Sequence, residues 1–140
     1  MLKIHFLGTG TSQGVPVIGS DHPVCLSTNS KDKRLRSSIL VEIDNTNIAI
    51  DTGPDFRTQM LRENVQSLDA VLFTHEHKDH TAGLDDIRPF NFKQKRDMDV
   101  YGSDRVLETL KREFQYIFSE VKYPGLPRIN LHEIKNEAFQ

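Results

Sequence analysis

The sequence predicts an α/β (α+β) fold in which helices cover a mixed, mostly antiparallel sheet. Two observations support this prediction. Short β-rich runs alternate with segments of helical periodicity, and some predicted strands follow one another directly. The chain has 140 residues, the size of one ordinary domain, so we expect a single domain over residues 1–140.

In the first part of the chain, the expected elements are a strand at 3–7, a long loop at 8–35, and two strands at 38–43 and 47–50. The last two strands are joined by turn-forming residues and therefore predict an antiparallel hairpin. Pro54 can open a helix that extends to about Glu63. The continuous apolar run at 69–74 predicts a buried strand.

In the second part, residues 82–90 are compatible with a helix and residues 98–102 with a short strand. Ser103 suits the N-cap of a helix whose apolar stripe extends to Phe118. A loop at 123–127 precedes a last strand at 128–134. This order of helices and strands predicts the mixed sheet.

The composition excludes several classes of protein. Charged residues make up 27% of the chain, and no apolar run approaches the roughly 20 residues that a membrane span needs. The N-terminal segment reaches Gly8 before the core of a signal peptide could develop. The net charge of -2 gives no general attraction for nucleic acid, and the lone Cys25 agrees with a reducing compartment. We therefore expect a cytoplasmic protein that has no membrane partner.

The predicted buried strand leads directly into a cluster of metal-ligand side chains, His75-Glu76-His77-Lys78-Asp79-His80. If the chain is extended at His75 and His77, its period of two sends both imidazoles to the same side. A turn after them would bring Asp79 and His80 back towards the same place. Imidazole and carboxylate together suit borderline divalent metals, with Zn²⁺ first and Fe or Mn as alternatives.

Four ligands on so short a segment do not surround one ion tetrahedrally. Two metal ions, each coordinated by some of the four, are therefore the more natural arrangement. Two ions about 3.5–4 Å apart would bridge a hydroxide and clamp the attacking and leaving oxygens of a displacement. The cluster therefore predicts hydrolysis. A solvated, histidine-rich turn is the alternative interpretation.

The cluster resembles the signature of the metallo-β-lactamase superfamily, present here as Thr74-His75-Glu76-His77-Lys78-Asp79-His80-Thr81-Ala82-Gly83-Leu84. The segments 6–12 and 50–57 support the resemblance. Together with 14–16 and 34–38, they are most similar to the phosphodiesterase branch that includes the phosphoribosyl cyclic phosphodiesterase and, more distantly, tRNase Z. The resemblance extends over nearly the whole chain.

The resemblance implies an αββα sandwich with two divalent ions. It assigns His75 and His77 to one metal and Asp79 and His80 to the other, with Asp79 acting in catalysis. It also implies that Asp51 lies behind these ligands and orients them.

The family completes its site with a further histidine, a bridging aspartate and a last histidine, and this sequence shows no matching residues. After His80 the one remaining histidine is His132, which we interpret as an ordinary strand residue. The chain is thus similar to the N-terminal half of the fold, incomplete at its C-terminus. We expect partial metal occupancy and little activity from these residues alone, and an uncovered sheet face that favours a homodimer.

Two weaker candidate sites lie in the long loop. Relatives carry a three-cysteine zinc cluster there, whereas this chain has Cys25 with His22, which would make a weak structural metal site or a rim loop with a free thiol. Arg34 and Arg36 could steer a phosphate ester towards the ions, and a solvated surface is the competing interpretation.

The sequence therefore predicts a binuclear metal-dependent phosphodiesterase that acts on a small phosphodiester through a metal-bridging hydroxide. One alternative is a thioester or acyl hydrolase of the glyoxalase II or β-lactamase type. An RNA-processing nuclease is less favoured, because residues 81–140 contain no basic Gly/Pro-rich arm. An alternative of another class is a catalytically incomplete metal-binding or interaction module.

Overall fold

A mixed sheet organises the chain. The computed structural model describes residues 1–120, 123–135 and 137–138, and its strands are β1 (Leu2–Gly8), β2 (Ser38–Ile43), β3 (Thr46–Ile50), β4 (Ala70–Leu72), β5 (Met98–Gly102) and β6 (Ile129–Glu133). Within these residues the six strands lie side by side in sequence order. The β1–β2 and β2–β3 pairs are antiparallel, and the β3–β4, β4–β5 and β5–β6 pairs are parallel.

The helices lie in the connections between strands. They are α1 (Pro23–Leu26), α2 (Phe56–Arg62), α3 (Lys78–Thr81), α4 (Arg88–Gln94), α5 (Asp104–Glu113) and α6 (Gln115–Phe118). Parallel neighbours need crossover connections, and each connection after β3 contains at least one of these helices. The expectation of a mostly antiparallel sheet is therefore wrong, although the mixed sheet with helices is confirmed.

The predicted hairpin is confirmed, and its turn is the two residues between β2 and β3. Asp44 there has a φ of 53°, in the left-handed region that hairpin turns require and that Asp tolerates better than most residues. The long loop is also confirmed, apart from α1 and a 3-10 turn at Ser30–Asp32.

Three helix predictions need correction. Helix α2 begins at Phe56 rather than at Pro54. The segment expected to be helical at 82–90 begins with a 3-10 turn at Leu84–Ile87, and α4 then starts at Arg88 with Pro89 in its first turn, where proline is tolerated. The stripe that extends to Phe118 is split, because Phe114 leaves the helical conformation at φ -111° and ψ 43°.

Among the residues that the structure describes, the helices pack on one face of the sheet. Leu40, Ala49, Val71 and Val100 occupy one cross-strand row and are buried in a core that also contains helix residues such as Phe56. The opposite face of β1 is exposed: Leu2, Ile4 and Phe6 keep 59%, 52% and 71% of their surface accessible. The sheet thus has one packed and one open face.

Across the described residues, none of the helices has the length and apolar character needed to cross a membrane.

We predict that Phe56→Ala lowers the free energy of unfolding by about 3–5 kcal/mol, because the ring is fully buried and its removal leaves a cavity. Chemical denaturation measures this loss. Leu61→Ala, at a 63% exposed position on the same helix, is the matched control and should change stability by less than about 0.5 kcal/mol. Similar losses in both variants would contradict the packing described here.

Candidate metal centre

The predicted cluster lies at the carboxyl ends of two neighbouring parallel strands. Asp51 directly follows β3, and the segment from Thr74 to His80 follows β4. Because β3 and β4 are parallel, their ends meet at the same edge of the sheet, which is where α/β folds commonly place their ligands. The topology therefore brings Asp51 to the histidine cluster.

The imidazoles come together as the sequence predicted. His77 is extended, and the His75 and His77 ring centroids are 4.7 Å apart. The one-turn helix α3 then reverses the chain, so that the ring of His80 lies 4.0 Å from that of His75. An extended pair followed by a turn is thus the local geometry that gathers these side chains.

The buried carboxylate of Asp51 forms hydrogen bonds with two residues of the cluster segment, Thr74 and His80. It accepts hydrogen bonds from the Thr74 amide at 2.8 Å, from the Thr74 hydroxyl at 2.7 Å and from Nδ1 of His80 at 2.7 Å. Asp51 itself has a φ of 64°, and the Ser38 hydroxyl donates to its carbonyl at 2.9 Å. The end of β3 is thus fixed in the conformation that points the carboxylate at both partners.

These bonds determine which ring nitrogens carry protons. An ionised carboxylate only accepts, so Nδ1 of His80 must be the donor to Asp51. The Thr74 hydroxyl gives its proton to Asp51, so it accepts from Nδ1 of His75, which lies 3.0 Å away. Both imidazoles, when neutral, are left with an unprotonated Nε2, the form that binds a metal.

Asp79 and His80 are spaced to share an ion. The Asp79 carboxylate oxygen Oδ2 lies 3.2 Å from Nε2 of His80. When Nε2 is unprotonated, both atoms present lone pairs, and metal–ligand bonds of about 2.0–2.1 Å in a tetrahedral site place ligands about 3.3 Å apart. The donor pair therefore fits a zinc-sized ion.

The donor set is incomplete within the described part of the chain. No three His, Cys, Asp or Glu side chains there are grouped so that they could hold one metal ion. A closed zinc site uses four ligands and a catalytic one uses three, so these residues by themselves complete neither kind of site.

Close backbone contact fixes the position of the ligand segment. A Cβ atom on Gly53 would lie 2.2 Å from the Asp79 carbonyl oxygen, and one on Gly83 would lie 2.3 Å from the Gly53 carbonyl oxygen. The Thr52 amide donates to the His80 carbonyl at 2.8 Å. Glycine is therefore required at both positions, because any larger residue would separate Asp51 from the histidines.

Helix α5 holds the same segment from the other side. Glu76 pairs with Arg105, and Lys78 pairs with Glu113 at 2.6 Å. A hydrogen bond from its own backbone amide, together with the Arg105 guanidinium, lowers the pKa of Glu76. No local sequence pattern indicates these two pairs, because they join residues that lie 29 and 35 positions apart.

The two arginines of the rim differ in their surroundings. Arg36 donates through its guanidinium to Asp55 at 3.1 Å and to the Ser12 carbonyl at 2.8 Å, so its side chain is bound into the loop. Arg34 is exposed. Arg36 is thus held within the loop by these bonds, and Arg34 is the more exposed of the two arginines predicted to steer an anion.

The loop site is weaker than the sequence allowed. Nδ1 of His22 accepts the Val24 amide and caps α1, and the Cys25 sulfur accepts the Val17 amide at 3.4 Å. Hydrogen bonds from Ser20 and from the Val17 amide lower the pKa of the Cys25 thiol. No third donor joins this pair among the described residues, and a structural zinc site uses four.

His132 lies apart from the cluster on β6. Its Nε2 contacts the Asp99 carboxylate at 2.8 Å, and its ring stacks on Tyr101 with centroids 4.7 Å apart. The hydrogen bond from His132 is the main cause that lowers the pKa of Asp99. This agrees with the interpretation of His132 as a strand residue.

Comparison with known proteins decides the family. The family described as the beta-lactamase superfamily domain matches residues 46–140. The chain belongs to this superfamily. Among solved structures, a diphosphatase of the PhnP family has a TM-score of 0.89 at 38% identity. The match covers 100% of this chain and 53% of the diphosphatase. Zn²⁺-bound PqqB from Methylobacterium extorquens shares the fold, with a TM-score of 0.76 at 21% identity over 100% of this chain and 48% of its own.

Two curated relatives add to this comparison. A protein of Porphyromonas gingivalis named octanoyltransferase is 45% identical over 96% of this chain and 27% of its own length. A ribonuclease Z of Bradyrhizobium diazoefficiens is 30% identical over 80% of this chain and 33% of its own. The chain therefore spans about half the length of the solved relatives and about a third or less of these curated ones. The predicted resemblance to this superfamily is confirmed, and a PhnP-family diphosphatase and a ribonuclease Z are among the relatives.

We predict that Asp51→Asn weakens zinc binding about 10- to 100-fold, the range found when the partner of a metal-bound histidine is removed. The amide of Asn can donate to Nδ1 of His80 and thereby move the ring proton to Nε2, where it blocks the metal. Competition with a chromophoric chelator measures the affinity.

Asp99→Asn is the matched control, because Asp99 also pairs with a histidine, at 2.8 Å, but outside the cluster. Thermal unfolding of both variants separates a binding effect from a folding effect. Equal zinc affinity of the Asp51 variant and the unchanged chain would contradict the assigned role.

Proposed function

We propose that this chain forms half of the active site of a binuclear metal-dependent phosphodiesterase. The observation that supports this most is the gathering of His75, His77, Asp79 and His80 at one sheet edge in front of Asp51. Divalent ions of borderline softness suit these donors, with zinc first and manganese or iron as alternatives. Bound there, two ions would lower the pKa of water and stabilise the charge that develops at phosphorus.

Each side chain has a separate task in this proposal. His75 and His77 serve one ion, and Asp79 and His80 serve the other. Asp79 is the catalytic carboxylate, because it would hold its ion next to the reacting phosphate. Asp51 binds no ion and keeps Nδ1 of His80 protonated, so that Nε2 faces the metal.

Phosphate chemistry is supported by the names of the relatives. The solved relative at 38% identity is a diphosphatase, and the Bradyrhizobium relative is a ribonuclease. The exposed Arg34 would attract an anionic ester towards the site. The overall charge of -2 offers no field for a long polyanion, so we favour a small phosphodiester as the substrate.

Acyl or thioester hydrolysis is the second candidate. It is favoured by the Porphyromonas relative, whose name refers to octanoyl transfer and which is 45% identical to this chain. The matched region makes up 27% of that protein, so the name need not describe the matched part. A metal-binding module without catalysis is the candidate of another class, and it is favoured because no three donors among the described residues are grouped around one ion.

We predict that the zinc-loaded chain hydrolyses bis(p-nitrophenyl) phosphate slowly, and faster than an octanoyl thioester or a β-lactam. The His77→Ala variant should lose this activity, whereas His132→Ala should retain it, because His132 lies outside the cluster. Initial rates on the three substrates measure the preference. Faster turnover of the thioester would favour the second candidate, and turnover of none would favour the module.

We also predict that the chain retains fewer than two zinc ions after exchange into metal-free buffer, because no three donors among the described residues are grouped around one ion and even a catalytic zinc site uses three. Native mass spectrometry counts the bound ions directly. Two tightly bound ions per chain would contradict the incomplete donor set.

A further inference from the structure

A groove lies between helices α2 and α4, on the helical side of the sheet. It is lined from α2 by Arg57, Met60 and Leu61, and from α4 by Pro89, Phe90 and Lys93. Residues three or four positions apart lie on one face of a helix, so each helix turns a single face to the groove. Its volume of about 380 Å³ falls within the range of small-molecule sites, roughly 300–1,000 Å³.

The order of the strands determines where this groove lies. Helix α2 lies in the connection from β3 to β4, helix α4 lies in the connection from β4 to β5, and both strand pairs are parallel. Successive crossovers on one face of a sheet place their helices side by side and in the same direction. In an αββα sandwich the two sheets meet through their other faces, and the helices form the outer layers. The groove is therefore remote from the sheet face that the second half of the fold would cover.

The floor of the groove is apolar, and one of its ends is fixed by hydrogen bonds. Met60 and Phe90 are each 7% exposed and belong to the core. Beyond α2, the Leu68 backbone exchanges two hydrogen bonds with the Gln94 side chain at the end of α4, at 2.9 and 3.0 Å. These bonds tie the segment after α2 to α4, so the groove is formed before a ligand binds.

The charges of the groove differ between its two ends. Arg57 and Asp86 line the end at which the helices begin, and Lys93 lines the end at which they finish. Nζ of Lys93 donates to the neutral Oε1 of Gln66 at 2.7 Å, and among the described residues no carboxylate pairs with this ammonium. An ammonium has three donors, so it can still bind an anion. The lining thus carries one uncompensated positive charge, at the Lys93 end.

We propose that this groove binds a small organic acid with an apolar body, which packs on Met60 and Phe90 while its carboxylate accepts from Lys93. The apolar floor disfavours a hydrated inorganic anion, and the charge at one end favours an acid over a neutral or cationic ligand. Each helix has seven residues and is about 10 Å long, which suits a small molecule rather than an extended polymer. The inference does not depend on the proposed function, because it uses no residue of the metal cluster.

Methyl NMR of ¹³C-labelled methionine tests the proposal, because the three methionines report on three places. Met60 lines the groove, Met1 precedes β1 beside the open face of the sheet, and Met98 lies in the core. The probes are 2-naphthoate and 2-naphthalenemethanol, which has the same rings without the charge. We expect 2-naphthoate to shift the Met60 signal saturably through its ring current. It should also bind about threefold or more tightly than the alcohol, since an exposed ion pair contributes little more than this.

Lys93→Met should abolish the preference for the acid over the alcohol. Lys95→Met is the matched control, because Lys95 is an exposed lysine at the end of α4 that does not line the groove, and this variant should keep the preference. Thermal unfolding of both variants checks that the fold is unchanged. A Met60 signal that 2-naphthoate does not move, or a shift of the Met1 signal alone, would overturn the proposal. A preference that persists in Lys93→Met, or that both lysine variants lose equally, would also overturn it.

Discussion

The carboxylate of Asp51 is the constraint on which the candidate site depends. It is buried, it only accepts hydrogen bonds, and three donors meet on it from Thr74 and His80. Because Thr74 in turn faces His75, a single carboxylate sets the proton positions of two imidazoles. Hydrogen bonds of this kind, to a charged and buried acceptor, are the strong ones in proteins.

Much of the surrounding structure serves to place that carboxylate. Parallel pairing of β3 and β4 puts Asp51 and the histidines at one edge, and glycines at 53 and 83 allow their loops to touch through backbone atoms. The ion pairs from α5 hold the loop that carries His75 and His77. The donors are thus arranged before any ion binds, and the cost of ordering them is met in folding. Within the described residues the donor set is incomplete and the outer face of β1 is exposed, and the chain matches about half the length of the solved relatives.

Local patterns predicted the parts of this structure that depend on local physics. Alternation identified β2 and β3 with their turn, and the spacing of two between His75 and His77 predicted that their rings share a side. Local patterns could not predict the long-range pairing. Three parallel strand pairs arise from helical crossovers, and the ion pair of Glu76 with Arg105 joins residues far apart in sequence. Two helix boundaries expected from the sequence were wrong. Pro89 lies in the first turn of α4, and Phe114 interrupts the last helical stripe. Asp51 was expected behind the ligands only from the resemblance, and its connection to His75 through Thr74 needed the three-dimensional structure.

The central claim is that Asp51 keeps Nδ1 of His75 and His80 protonated and their Nε2 atoms free for metal. Long-range ¹H–¹⁵N correlation spectra of the zinc-free chain, recorded where both rings are neutral, report the proton position on each nitrogen. The account predicts a protonated Nδ1 and an unprotonated Nε2 for both residues, and loss of this pattern in the Asp51→Asn variant. Rings protonated at Nε2 in the unchanged chain would contradict it.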